Sequence, residues 1–310
     1  MVTGAGGFIG HHLSNRLVAE GADVFSIDRK HPEWGDHPSR DFMLVDLRCI
    51  EDFLSGQDFV FHLAAEMGGI GYIENNKGDI VSSSTRIDLN VLDASYRSKV
   101  GRFLYTSSAC VYPGYRQNDL NNPGLRESDA YPADAEDGYG WQKLYTERLC
   151  RHYRKDFGLD TRIARLHNIF GPLGTYDGGR EKAPAAMCRK IAMAKDGDPI
   201  EVWGDGKQTR SYCYVDDCVE GLIRLMLFDY NKPINIGTDE MVSVNKLIEH
   251  VEAVSGKKVK RVYDQTKPKG VRGRNANLDL VKVVLDWSPT RTLKEGLAET
   301  YPWIAEQVQK

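Results

Sequence analysis

The sequence has no apolar run approaching the ~20 residues that a membrane-spanning helix requires, and no signal peptide is recognisable. No membrane partner and a cytoplasmic location are therefore the expectation. An excess of one charge is also missing. Lys and Arg number 41 against 44 Asp and Glu, for a net charge of −3. That balance provides no electrostatic footprint for nucleic acid or an anionic membrane. The six cysteines (49, 110, 150, 188, 213 and 218) contain no C-x-x-C pair and no zinc spacing. A structural metal is not expected, and most of these thiols should be inert and buried in a reducing compartment. There is no internal repeat and no low-complexity segment; 310 residues suffice for one large domain or two modest ones. Met1 stands almost inside the first predicted strand, which suggests a truncated or misassigned start that would weaken this strand.

The glycines, by contrast, follow a pattern. Thr3-Gly4-Ala5-Gly6-Gly7-Phe8-Ile9-Gly10 lies between a short strand and a helix. Gly4 permits the tight turn, Gly7 lets backbone approach a pyrophosphate, and Gly10 lets helix and strand pack closely. The helix that follows, with Phe8, Ile9, Leu13, Leu17 and Val18 as its apolar face, offers N–H groups and a positive dipole end to phosphate. Glycine clusters also make plain turns, so the context decides. Asp28 ends the predicted strand Ala22–Asp28, about 20 residues past the turn, where a carboxylate receives a ribose 2′-hydroxyl and repels a 2′-phosphate. That favours NAD over NADP, although Arg29 beside it is of a type that tolerates the phosphate.

Predicted strands at Val24–Asp28, Phe42–Val45, Phe59–Ala65, Phe103–Ser107 and Thr161–Leu166 alternate with helical stretches near 8–19, 79–98 and 139–157. Alternation of this kind implies an α/β, Rossmann-like, doubly wound parallel sheet. Further helices are predicted near 185–195, 215–228 and 243–255. The dinucleotide-binding part is read as 1–167 plus 214–237, and a smaller C-terminal substrate-binding domain as 168–213 plus 238–310. Ligands of such sheets bind at the carboxyl ends of the strands.

Ser107–Cys110 falls at one of those ends, and Tyr139-x-x-x-Lys143 follows twenty-nine positions after the cysteine. Residues four apart share a helix face. There an ammonium can draw a phenol, whose ordinary pKa is about 10, towards its anion. That pair suits removal of a proton from a sugar hydroxyl while hydride leaves the same carbon. Cys110 adds a second proton-transfer group that simple alcohol oxidation does not need. The bland alternative is that Cys110 is a small buried hydrophobe, the commonest fate of a free cysteine. Ser108 is placed either to polarise the C4 oxygen or merely to cap the strand end. His62 reads as a packed strand-end residue rather than a base.

Thr3–Gly10, Asp28, Asp46-Leu47, His62-Leu-Ala-Ala65, Asn90, Ser107–Tyr112, Tyr139–Lys143 and Gly204-Asp-Gly-x-Gln-Thr-Arg210 together resemble the extended short-chain dehydrogenase/reductase superfamily. Longer stretches are Ala65-Glu-Met-Gly-Gly-Ile-Gly71, Ser107-Ser-Ala-Cys-Val-Tyr-Pro113, Gly178-Gly-Arg-Glu-Lys-Ala-Pro-Ala-Ala186 and Gly270-Val-Arg-Gly-Arg274. Through these the chain is similar, over essentially its whole length, to the GDP-mannose 3,5-epimerase family. The resemblance implies an NAD-dependent isomerase of nucleotide-sugar metabolism, acting on GDP-mannose as a homodimer paired through helices 79–98 and 139–157. It implies that Cys110 and Lys182 act as a base/acid pair while Tyr139 and Lys143 oxidise C4. A cation near Cys110 would lower its thiol from about 8.5. The cofactor would meet Gly4, Gly7, Phe8, Ile9, Gly10, Asp28, Asp46, Leu47, Ala64, Tyr139 and Lys143. The nucleotide sugar would meet Ser108, Asn168, Lys182, Lys190, Gln208, Arg210 and Arg272, with Gly68 and Gly69 letting backbone approach it. Two other readings stay open: a 4-epimerase of the same superfamily, which has no use for Cys110 and Lys182, and a silent nucleotide-sensing module on the same fold.

Overall fold

The computed structural model describes residues 1–49 and 55–310. Its first part runs β1 (Val2–Thr3), α1 (Phe8–Ala19), β2 (Phe25–Asp28), β3 (Asp41–Leu44), β4 (Phe59–His62), α2 (Ile70–Asn75), α3 (Lys77–Arg97), β5 (Arg102–Ser108), α4 (Asp137–Phe157) and β6 (Thr161–Leu166). It continues with β7 (Ile169–Phe170), α5 (Ala183–Met193), β8 (Pro199–Trp203), β9 (Thr209–Ser211), β10 (Cys213–Tyr214), α6 (Val215–Leu227) and β11 (Pro233–Ile236). The last elements are β12 (Met241–Ser243), α7 (Val244–Ser255), β13 (Lys260–Asp264), β14 (Gly273–Arg274), α8 (Asp279–Leu285) and α9 (Leu293–Gln307).

Seven strands form one parallel sheet in the order β11-β6-β5-β4-β1-β2-β3. The middle of β5, Phe103-Leu-Tyr105, is buried throughout because helices cover both faces of the sheet. Helix α1 packs with α6, and α3 packs with α4. The order reverses at β1, where Thr3 stands opposite both Ile27 and His62, and a crevice opens above the carboxyl ends there. This is the predicted doubly wound architecture. Strand β4 stops at His62 rather than Ala65, since the chain leaves the sheet to reach the glycines at 68–71.

Gly4 has φ +71°, and a Cβ on Gly10 would lie 2.2 Å from the Gly4 carbonyl oxygen. Helix α1 therefore meets its turn backbone to backbone, as the glycine spacing predicts. Beyond β6 the strands are short: β7 pairs β10, β9 lies between β12 and β14, and β8 pairs β13. Helices α5, α7 and α9 pack on one another. One apolar cluster runs from Val2 and Leu13 through Leu222 of α6 to Leu297 and Ile304 of α9, so the later segments share a core with the sheet. Among the described residues, no helix is long and apolar enough to cross a membrane.

Candidate active site

The crevice is a cleft of about 910 Å³. At one end it is lined by Gly4, Gly7, Phe8, Ile9 and Gly10 together with Asp28, Asp46, Leu47 and Ala64. No side chain caps the start of α1 at Gly7, which leaves the first N–H groups of the helix to the cleft. The Asp28 carboxylate accepts from the backbone N–H of Gly6 (3.0 Å) and of Lys30 (3.2 Å). Burial raises this carboxyl, and those backbone donors hold it down in part. Arg29 turns from Asp28 to Glu66, at 2.8 Å. Asp46 is gripped by Arg48, which holds it down at about 2. Backbone turn, helix start and the Asp28 carboxylate all suit a dinucleotide, with Arg29 and Lys30 also lining this end of the cleft.

His62 is packed, as its sequence position suggests, with Nδ1 2.7 Å from Thr3 Oγ1 and Nε2 3.0 Å from Asp88 Oδ1. Asp88 is the hub of a network that the sequence does not disclose. It also accepts from Tyr105 (2.8 Å), Gln142 (2.7 Å) and Thr146 (2.9 Å). Burial would raise this carboxylate, but Lys143, His62 and Tyr105 hold it at about 2. The charge beneath Lys143 is thus fixed, and the Lys143 ammonium donates to the Thr106 carbonyl at 3.1 Å.

Strand β5 delivers Ser108, whose Oγ caps the turn Ala109–Val111 by accepting from the Cys110 N–H at 3.2 Å. The Glu136 N–H donates to the Cys110 carbonyl at 2.9 Å. A Cβ on Gly140 would stand 2.2 Å from that same oxygen. Helix α4 therefore begins against the cysteine backbone, which brings Tyr139 to the same point in the cleft. Tyr139 is buried and the Ser108 hydroxyl favours its anion, so Ser108 both caps the strand end and bears on the phenol. The expected lowering of the phenol by Lys143 is not found. Burial pushes Tyr139 well above the usual range, because the Lys143 ammonium sits 6.0 Å from its ring centroid and is itself pushed down by burial.

Lys182 stands at the start of α5 and lines the cleft with Cys110. Burial lowers its ammonium while Cys110 pulls it up. The expected cation beside the thiol is present, but the group in contact is Arg274, whose NH1 lies 3.6 Å from Cys110 Sγ. Burial nonetheless raises the thiol, against the lowering by Arg274. Arg274 escapes a reading of the sequence because its meaning comes from the pairing of β14 with β9, which sets it beside Arg210.

Asn168, Lys190, Gln208 and Arg210 also line the cleft. Asn168 donates to the Ser211 carbonyl (3.0 Å), and Lys190 to the Glu201 carbonyl (2.8 Å). Gln208 donates to the Trp203 carbonyl (2.9 Å), yet its buried Oε1 has no protein partner. Burial and the neighbouring Arg274 bring Arg210 down to about 10. Arg210 thus brings a cation to this wall of the cleft, beside an Arg274 already engaged with Gln117, Glu136 and Cys110. Arg272 is a correction: it pairs with Asp205 at 3.2 Å and does not line the cleft, because it precedes β14 and faces the Gly204–Gly206 turn. The glycines at 68 and 69 do line it, but their small size answers first to protein packing. A Cβ on Gly69 would meet the Glu181 carbonyl at 2.3 Å, and one on Gly68 the Tyr72 ring at 2.9 Å.

Residues 1–237 match the NAD dependent epimerase/dehydratase family. A GDP-mannose 3,5-epimerase from Arabidopsis thaliana is 49% identical, with 100% of this chain and 82% of the relative aligned. A UDP-glucuronic acid 4-epimerase from Bacillus cereus, solved with UDP-glucuronic acid and NAD, superposes with a TM-score of 0.84 at 26% identity, covering 99% of this chain and 98% of that one. The UDP-glucose 4-epimerase of Thermotoga maritima has the same fold, with a TM-score of 0.88 at 23% identity and coverage of 99% and 98%. The chain therefore belongs to the NAD-dependent epimerase/dehydratase family.

Proposed function

We propose that this protein is a cytoplasmic epimerase that inverts C3 and C5 of GDP-mannose, to GDP-L-galactose, GDP-L-gulose or both, through a transient 4-keto sugar. The observation that carries this reading is the convergence of Cys110, Lys182 and Tyr139 on one cleft. Its substrate is taken from the 49% identical relative.

A carbon bearing only C–H and C–O bonds resists inversion because its hydrogen is not acidic. Oxidation at C4 places the hydrogens of C3 and C5 next to a carbonyl, where both become removable. NAD, which the Gly4–Gly10 turn and Asp28 would hold, would supply a hydride acceptor for C4 that is regenerated in each cycle. Tyr139 accepts the proton of the C4 hydroxyl, oriented by Ser108. Lys143, anchored on Thr106, brings an amine to 6.0 Å from the centroid of the phenol ring, and further positive charge must reach the phenol before it ionises. Cys110 and Lys182, on opposite faces of the ring, trade roles as base and acid. Arg210 receives the diphosphate. Asn168, Lys190 and Gln208 hold the remainder of the nucleotide sugar, the unpaired Gln208 Oε1 accepting from it. In this reading 1–167 and 214–237 carry the dinucleotide, while 168–213 and 238–310 carry the nucleotide sugar.

The test is incubation with GDP-mannose in D₂O followed by NMR of the sugar. Deuterium at C3 and C5, in a galactose- or gulose-configured product, is the expected result. Inversion at C4 with C3 and C5 untouched means a 4-epimerase instead, and no turnover with bound NAD means a silent sensing module.

We also propose a homodimer formed through α3 and α4. Leu89 and Tyr96 on α3, and Trp141, Tyr145 and Phe157 on α4, are exposed apolar side chains on these two adjoining helices. Light scattering should give twice the 34.9 kDa chain mass, and a monomer would contradict the pairing.

A further inference from the structure

Six polar or ionisable groups are coupled electrically to Cys110, namely Ser108, Glu136, Tyr139, Lys182, Arg210 and Arg274, with Arg274 in contact with its sulfur. Only some of them have a role in the reading above, and Glu136 has none. It is the residue just before α4, it lines the cleft, and its side chain is 28% exposed. Its backbone is tied to Cys110 by the 2.9 Å hydrogen bond to the cysteine carbonyl. Its carboxylate is tied to Cys110 through the Arg274 guanidinium, which is buried and divides its donors three ways. Nε donates to Gln117 Oε1, NH2 to Glu136 Oε2, and NH1 to the Cys110 sulfur at 3.6 Å. The carboxylate and the sulfur thus hold neighbouring donors of one guanidinium.

We propose that Glu136 is a positioning residue that governs Cys110 by competing with its sulfur for the Arg274 guanidinium. A guanidinium fork has fixed geometry, so a carboxylate drawn onto NH2 sets how far NH1 can reach. Charge neutralised on the carboxylate is also charge withheld from a thiolate. The electrostatics agree in sign. Burial raises the Cys110 thiol, Arg274 lowers it, and Glu136 raises it again. Glu136 itself is held below the usual carboxylate range by Arg274, against burial. During turnover this competition sets how readily Cys110 takes and returns the proton it exchanges with the sugar. The inference rests on the reading of Cys110 as one of the two proton-transfer groups, but its test does not require turnover.

The rate of iodoacetamide alkylation of Cys110 is measured against pH on the full chain, with peptide mapping to separate the exposed Cys49. Glu136→Gln removes a negative neighbour and leaves an acceptor for Arg274. The thiol should ionise at lower pH, and alkylation below the midpoint should rise about tenfold or more, as expected when a charge within contact distance is released. Arg274→Gln should act in the opposite direction, moving the profile to higher pH and slowing alkylation. Opposite signs separate charge competition from loosening, since a loosened site would expose the thiol and speed both variants. An unchanged or slower Glu136→Gln variant, or acceleration of both, overturns the proposal. If both alkylation results hold while GDP-mannose takes up no deuterium, the proposed function fails and this inference stands.

Discussion

Cys110→Ser is expected to abolish inversion and deuterium uptake at C3 and C5, by about 10²–10⁴-fold, the usual contribution of a positioned proton-transfer group. A hydroxyl fits where the thiol fits, and the turn at Ala109–Val111 keeps its cap from Ser108. The loss would therefore be chemical rather than architectural. A serine hydroxyl is far less acidic than a thiol, and Arg274 at 3.6 Å does not bridge that difference. NAD content and melting temperature should match those of the unaltered protein, because the thiol has no part in the glycine turn or the Asp28 contacts proposed to hold the cofactor. Oxidation at C4 should survive, visible as NADH formed on mixing with GDP-mannose and returned without inversion. Unchanged epimerisation would remove Cys110 from the reaction.

The second large effect is at Tyr139. Tyr139→Phe should block oxidation at C4 by about 10²–10⁴-fold, and with it every later step. Deuterium uptake at C3 and C5 then vanishes although Cys110 and Lys182 are intact, since neither hydrogen is acidic without the ketone. The two variants thus share one phenotype in product assays and part in NADH absorbance: a signal in Cys110→Ser, none in Tyr139→Phe. Burial raises the phenol in this geometry, so the anion is favoured only when further positive charge reaches it. NADH formation at the unaltered rate in Tyr139→Phe would refute the role.

What could be read in advance was local. Gly4, Gly7 and Gly10 are legible because a tight turn and a backbone contact tolerate few residue types at fixed spacing. Tyr139 and Lys143 are legible because a helix puts residues four apart on one face. The helices α1, α4 and α7 were expected within a residue or two of where they lie, their apolar periodicity being strong. Arg274, Glu136 and Asp88 were not legible as site residues. Arg274 is 164 positions from Cys110; it is brought there by the pairing of β14 with β9 and by backbone bonds of Arg272 and Asn275 to Gln117 and Leu125. Arg272, two residues away, carries the same charge and serves Asp205 instead. Strands of two or three residues, such as β7, β10 and β14, are too short to show alternation. Helix α9 went unforeseen because Gly296 and Pro302 interrupt its pattern, although the Thr292/Glu295 capping box marks its start.

The contact between Gly140 and the Cys110 carbonyl has a consequence for how such a site can change over time. In the proposed mechanism, redox at C4 depends on Tyr139, the residue next to that glycine, and proton shuttling depends on Cys110. With backbone resting on backbone, any side chain at 140 would drive the helix and the cysteine turn apart. The two chemistries are therefore geared to one another: a shift that retunes oxidation also retunes inversion. Diversification is left to the parts of the cleft that do not share this seam, such as the walls that carry Asn168, Lys190 and Gln208.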